Sequence, residues 1–182
     1  MRIRLLPFAI VACLPPLMSP AQEKTDNAFR NAKVGDYVAY KQTTLFLGNT
    51  IEISIKETVT AKNDKELTLR TTATVKGTPL PSHDTKIDLT KPYDSATAAA
   101  QADPARKWEK TGEGIEKIRI GDKIYDCDWV AGKQVEKNGK HKSNVKIWFS
   151  KSVPLTGRVK VESESTLGEV SKTEITGWGS KK

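Results

Sequence analysis

In TIEISIKETVTA, Thr50 to Ala61, apolar and polar side chains alternate over twelve residues. Ile51, Ile53, Ile55, Val59 and Ala61 fall on one side of an extended chain. Glu52, Ser54, Lys56, Thr58 and Thr60 fall on the other. A period of two is the signature of a strand with one buried and one wet face. Such a strand belongs in an antiparallel sheet, because parallel sheets are covered on both faces.

The same period recurs along the chain. Gly48-Asn49 separates TTLFL from this strand and reads as a two-residue hairpin turn. Asn63-Asp64-Lys65 leads into ELTLRTTATV, with Leu67, Leu69, Ala73 and Val75 in phase. In the second half, IEKIRI turns through Gly121-Asp122 into KIYDCDWVAGKQVEK, and Asn138-Gly139 turns that into HKSNVKIWFSK. VPLTGRVKVESES, Leu167-Gly168 and EVSKTEITGW complete the series. The expected fold is mainly β, a single long antiparallel meander of about eight to ten strands in chain order, forming a curled sheet or half-barrel.

One or two short helices accompany it. TDNAFRNAKVGD suits a helix capped by Thr25 or Asp26, with Ala28, Phe29 and Ala32 on one face and Gly35 at its end. The proline-rich middle predicts an irregular crossing from Gly77, a short strand near Lys86–Thr90, and a helix over Ser95–Asp103 stopped by Pro104.

The chain opens MRIRLLPFAIVACLPPLMSPAQEK, with Arg2 and Arg4 before an apolar run and Ser19 and Ala21 at the small-residue positions of a cleavage site. That is a secretory signal peptide over residues 1–21, leaving one antiparallel β domain over 22–182. The run is too short to span a bilayer, and no other stretch reaches spanning length. The expected location is therefore periplasmic or extracellular. The alternative is a lipid anchor on Cys13, since IVAC resembles a bacterial lipobox.

Removing a leader with two arginines and no acids from 30 basic and 22 acidic residues leaves a net charge of +6. The charge is interleaved with acids along the chain, so it reads as a solvated surface. Nucleic acid is not an expected partner, given export and the lack of aromatics among the basic residues. A monomer is expected.

Catalytic patterns are sparse. No H-E-x-x-H, paired C-x-x-C, G-x-S-x-G or P-loop occurs. Ser82, His83 and Asp84 have the residue types of a triad, but neighbours on an extended chain point to alternating sides. Gly112 and Gly114 begin a dinucleotide fingerprint that Lys117 breaks. Cys127 alternates with Tyr125, Trp129 and Ala131, opposite Asp126 and Asp128. A thiol between aromatics is core packing, and flanking carboxylates raise rather than lower its pKa. No catalytic residue, metal site or cofactor is assigned.

Two sets of residues remain as binding candidates. Ile51, Ile53, Ile55, Leu67, Leu69, Tyr125 and Trp129 would line the apolar face of a curled sheet that holds a lipid or other apolar ligand; packing alone accounts for them equally well. Lys133, Lys137, Lys140, Lys142 and Lys146 cluster on one hairpin, where they either contact an anionic envelope polymer or headgroup or guard a sheet edge. Trp148 is out of phase with Val145, Ile147 and Phe149, so it falls on the wet side as a further contact residue or lies beneath a covering segment.

AKVGDYVAY, YDCDW and VKIWFSKSVPLTGRVKVES together resemble segments of uncharacterised exported bacterial β-rich proteins, in which a small helix precedes a long antiparallel meander. The layout is similar, more loosely, to the periplasmic lipoprotein carriers, whose curled sheet holds acyl chains. A curled sheet whose apolar face the few short helices do not fill gives the first reading, a non-enzymatic envelope protein that binds a lipid or other apolar ligand. A packed interaction module that meets an envelope partner through its surface is the alternative, and a hydrolase without a recognisable motif is a third reading.

Overall fold

The computed structural model describes residues 27–93, 106–136 and 141–180. The strands are β1 (Asp36–Phe46), β2 (Asn49–Lys62), β3 (Glu66–Val75), β4 (Thr78–Pro79), β5 (His83–Asp88), β6 (Arg106–Ile120), β7 (Lys123–Glu136), β8 (Lys142–Phe149), β9 (Arg158–Ser165) and β10 (Val170–Ser180). They form one antiparallel sheet in the order β4-β3-β2-β1-β10-β9-β8-β7-β6, with β5 also paired to β3. The fold is thus the curled, mainly β sheet that the alternation predicts.

Chain order runs round this sheet as a meander whose first and last strands are neighbours. Asp36 sits opposite Ser180 and Leu45 opposite Val170, so β1 and β10 join two runs of hairpins. The gap falls instead between β5 and β6, and the sheet stays open there. Pairing irregularities at Ala39/Tyr40, Val59/Ala61, Lys110/Gly112 and Trp148/Phe149 add local twist, which coils a sheet of this width.

The core collects Val38, Tyr40, Val59, Leu67, Leu69, Ile118, Tyr125, Cys127, Trp148, Val159 and Ile175. The segment between β8 and β9 turns inward and adds Val153 and Leu155. It is closed by the Ser150 amide donating to the Gly157 carbonyl at 2.8 Å.

The first helix is a single 3-10 turn, Ala28–Asn31, and its cap is Asn27 rather than Thr25 or Asp26. Asn27 Oδ1 accepts from the Phe29 amide while its NH2 donates to the Asp88 and Lys91 carbonyls, each at 3.0 Å. A buried asparagine with three partners fixes this turn against the end of β5, and Phe29 is fully buried beneath it.

Local turn chemistry shifts two expectations. The β1–β2 turn is Leu47-Gly48, both with positive φ, and Asn49 already pairs with Phe46. The short middle strand begins earlier than expected, at His83 opposite Thr71, and Asp84 meets Arg70 across the ladder. The Gly121-Asp122 turn joins β6 and β7 as expected, with Ile120 opposite Lys123. The signal segment with Cys13, the Ser95–Asp103 helix and the Asn138-Gly139 turn lie outside the described residues.

Candidate functional site

Glu57 occupies the one position of the β2 alternation that the apolar count passes over. It lies on the same side as Ile55 and Val59 and is 8% exposed. Arg158, at the start of β9, reaches across β10 and β1 to it, with Nη2 to Oε1 at 2.6 Å. On the way its guanidinium lies 4.5 Å from the centre of the Tyr40 ring. The Tyr40 hydroxyl is 3.2 Å from Thr156 Oγ1. Burial works against the Arg158 charge, but Glu57 and Tyr40 outweigh it and hold its pKa above the usual arginine value. Burial raises the Tyr40 phenol as well, against the pull of Arg158. Glu57 Oε2 and Arg158 Nε meet no partner among the described residues. The pair ties four neighbouring strands together on one side and so holds the curl of the sheet.

A second polar assembly lies on β6 to β9. Trp129 and Trp148 are directly opposite across β7 and β8. Lys146 Nζ sits 4.4 Å from one ring centre and 4.5 Å from the other, and Lys160 lies 4.8 Å from Trp148 on β9. Glu116 accepts from Lys146 at 2.9 Å and from the Trp148 indole N–H at 3.0 Å. Those two bonds hold its carboxyl below the usual glutamate pKa. Gly114 makes room for Trp129, since a Cβ there would stand 3.0 Å from the indole. The result is a cation–π stack that covers Trp148.

Beside this stack, a cleft of about 440 Å³ runs across β7, β8, β9 and β10. Ala131, Gly132, Val145 and Val170 give its apolar wall, and Lys146, Glu162 and Lys172 give alternating charge. The volume falls within the range of small-molecule sites, roughly 300–1,000 Å³. A second depression of similar volume lies over β1 to β3, lined by Tyr40, Ile55 and Ala73 among others.

The structure separates the residues expected to line a ligand. Leu67, Leu69 and Tyr125 are inside the packed core, with Ile55 and Trp129 packed against it. Ile53 is half-buried, Ile51 is 41% exposed, and of the seven only Ile55 borders a cleft described here. The basic set divides as well. Lys133 and Lys142 are exposed, Lys146 is engaged with Glu116 and the two indoles, and Lys137 and Lys140 lie outside the described residues. Trp148, expected on the wet side, is 3% exposed and offers no contact surface, because it lies in the core cluster opposite Trp129, with Lys146, Lys160 and Glu116 against its ring.

Cys127 is buried and unpaired, and burial followed by Asp128, Asp126 and Glu116 pushes its thiol up to about 11. A thiol reagent at pH 8 is therefore expected to leave native protein unmodified and to label it only after denaturant is added. Rapid labelling of the native state would contradict this placement. Among the described residues no three His, Cys, Asp or Glu side chains gather closely enough to hold a metal ion. No described helix is long and apolar enough to cross a membrane.

The described strands form one open, coiled antiparallel sheet with a short capping turn and a side cleft. No protein-family model and no curated protein matches the chain. Among solved structures, a Bacteroides fragilis protein described as exported, with a YmcC-like fold, aligns at a TM-score of 0.52 and 10% identity, covering 81% of this chain and 96% of that one. The chain therefore has the YmcC-like fold. A LolA superfamily protein from Nitrosomonas europaea aligns at 0.28 and 12% identity, covering 88% and 91% of the two chains. MucB in the Pseudomonas aeruginosa MucA/MucB complex aligns at 0.40 and 11% identity, covering 87% of this chain and 55% of that one. The resemblance to exported β-rich proteins stands at the level of fold.

Proposed function

We propose that this is an exported, non-catalytic protein of the cell envelope that binds a lipid or similar apolar chain in the cleft across β7 to β10, after removal of a leader over residues 1–21. The observation that carries the reading is the open cleft itself. Ala131, Val145 and Val170 offer an apolar lining, while Lys146, Glu162 and Lys172, ion-paired to Glu116, Lys160 and Glu174, give it a polar border. The cleft lies further along β7, at Ala131, than Tyr125, which belongs with Leu67 and Leu69 to the buried core.

Ala131→Trp fills the cleft beside Lys146. Titration with a fluorescent acyl probe is expected to show saturable binding to the wild type and at least about tenfold weaker binding to the variant, the loss that about 1.4 kcal/mol of contact gives. A matching circular dichroism spectrum controls for misfolding. Equal affinity in the two proteins would refute the cleft assignment.

A further inference from the structure

Large apolar side chains are exposed together at one end of the sheet. Leu45, Phe46, Leu47 and Ile51 sit at the β1–β2 hairpin, with exposures of 45, 38, 78 and 41%. Leu167 and Val170, at 55 and 46%, sit at the β9–β10 hairpin beside it, since Leu45 pairs directly with Val170. A two-residue hairpin turn whose first position has positive φ favours asparagine, aspartate or glycine there. This chain places Leu47 in that position, at φ +50, followed by Gly48 at +77. A leucine at the apex therefore weakens the turn and buries nothing within the chain. The neighbouring β3–β4 turn does the same with Lys76, also at φ +50.

We infer that these two hairpin tips dock the protein on a lipid bilayer, with Leu47 and its neighbours entering the interfacial region. The largest exposures, Leu47 and Leu167, fall on the two turns themselves, so the apolar groups are presented on projecting points at the ends of adjacent hairpins. A fluid lipid surface adapts to such points. Nearby charges do not sort by sign, with Lys76 and Lys142 exposed on one side of the balance and Glu164 and Glu169 on the other. Apolar insertion, not charge, thus drives docking, and binding is expected to persist at high salt. Val170 belongs both to this rim and to the cleft lining, so the docked rim opens the cleft towards the membrane. The docking itself goes beyond the cleft reading and stands without it.

The test is flotation of the mature protein with vesicles of phosphatidylcholine, and separately of phosphatidylethanolamine with phosphatidylglycerol. The wild type is expected to float with both. Leu47→Asn relieves the turn, so its unfolding midpoint is expected to rise by about 2–4 °C, while its partition falls about tenfold or more for the lost leucine. Ala131→Trp is expected to float like the wild type, which separates failure of the cleft from failure of the rim. Absence of wild-type flotation, or unchanged partition of Leu47→Asn, would overturn the inference. So would a change of oligomeric state in Leu47→Asn without vesicles, which would assign the rim to a second copy of the chain.

Discussion

Arg158→Ala is expected to destabilise the protein by about 3 kcal/mol, the lower end of the roughly 3–5 kcal/mol lost when one partner of a buried ion pair is removed. The lower end applies because the Arg158 side chain keeps 22% exposure, against 10% for Glu57. Most of the loss comes from what remains: a carboxylate among Ile55, Val59 and Tyr40 with no cation to offset its desolvation. The guanidinium also leaves the Tyr40 ring, and the link from β9 to β2 across two intervening strands is gone. Replacing both partners, as in Glu57→Leu with Arg158→Met, is expected to recover most of the stability, since apolar pairs of similar volume substitute well for buried ions. Urea denaturation of the single and double variants reads both effects. A loss in Arg158→Ala below about 1 kcal/mol, the ceiling for exposed pairs, would show that the bridge behaves as a surface contact.

Phe29→Ala is expected to cost about 3–5 kcal/mol, the range for truncating a buried phenylalanine. Phe29 is 0% exposed and meets Tyr93 edge to face at 4.8 Å between ring centres. The 3-10 turn that carries it is held by Asn27, by Arg30 Nε donating to the Leu89 carbonyl, and by Lys62 Nζ donating to the Arg30 and Ala32 carbonyls. Removing the ring leaves this framework standing over a cavity, which it cannot collapse to fill. The thermal midpoint is the measurement. A change within about 0.5 kcal/mol, typical of surface positions, would mean that the segment before β1 is peripheral to the core.

The strands were legible because each hairpin encodes its own period, and period is a local property. Leu67 and Leu69 on β3, and Tyr125 and Cys127 on β7, are buried where alternation puts them. What remained hidden depends on strands distant in the chain. The pairing of β1 with β10 leaves no mark in either strand, yet it decides where the sheet opens. Glu57 carried a readable signal, an acid in phase with isoleucines and valine, and such a residue demands a partner. That the partner is Arg158, 101 residues away, is set by the coil of the sheet. Trp148 misled for a related reason. Its side of β8 does carry Lys146, as alternation requires, but the β7–β8 register sets that side opposite Trp129, in phase with Tyr125 and Cys127, so the indole joins the core. The exposed leucine of the β1–β2 turn was obscured by placing the turn one residue late, on Gly48-Asn49.

Native mass spectrometry of the protein exported with its own leader tests the binding function most directly. A mature chain beginning at Gln22, accompanied by a mass that extracts into organic solvent and is missing from Ala131→Trp, is the predicted result. Wild-type protein that arrives empty, or a co-purifying mass retained in full by Ala131→Trp, would contradict it.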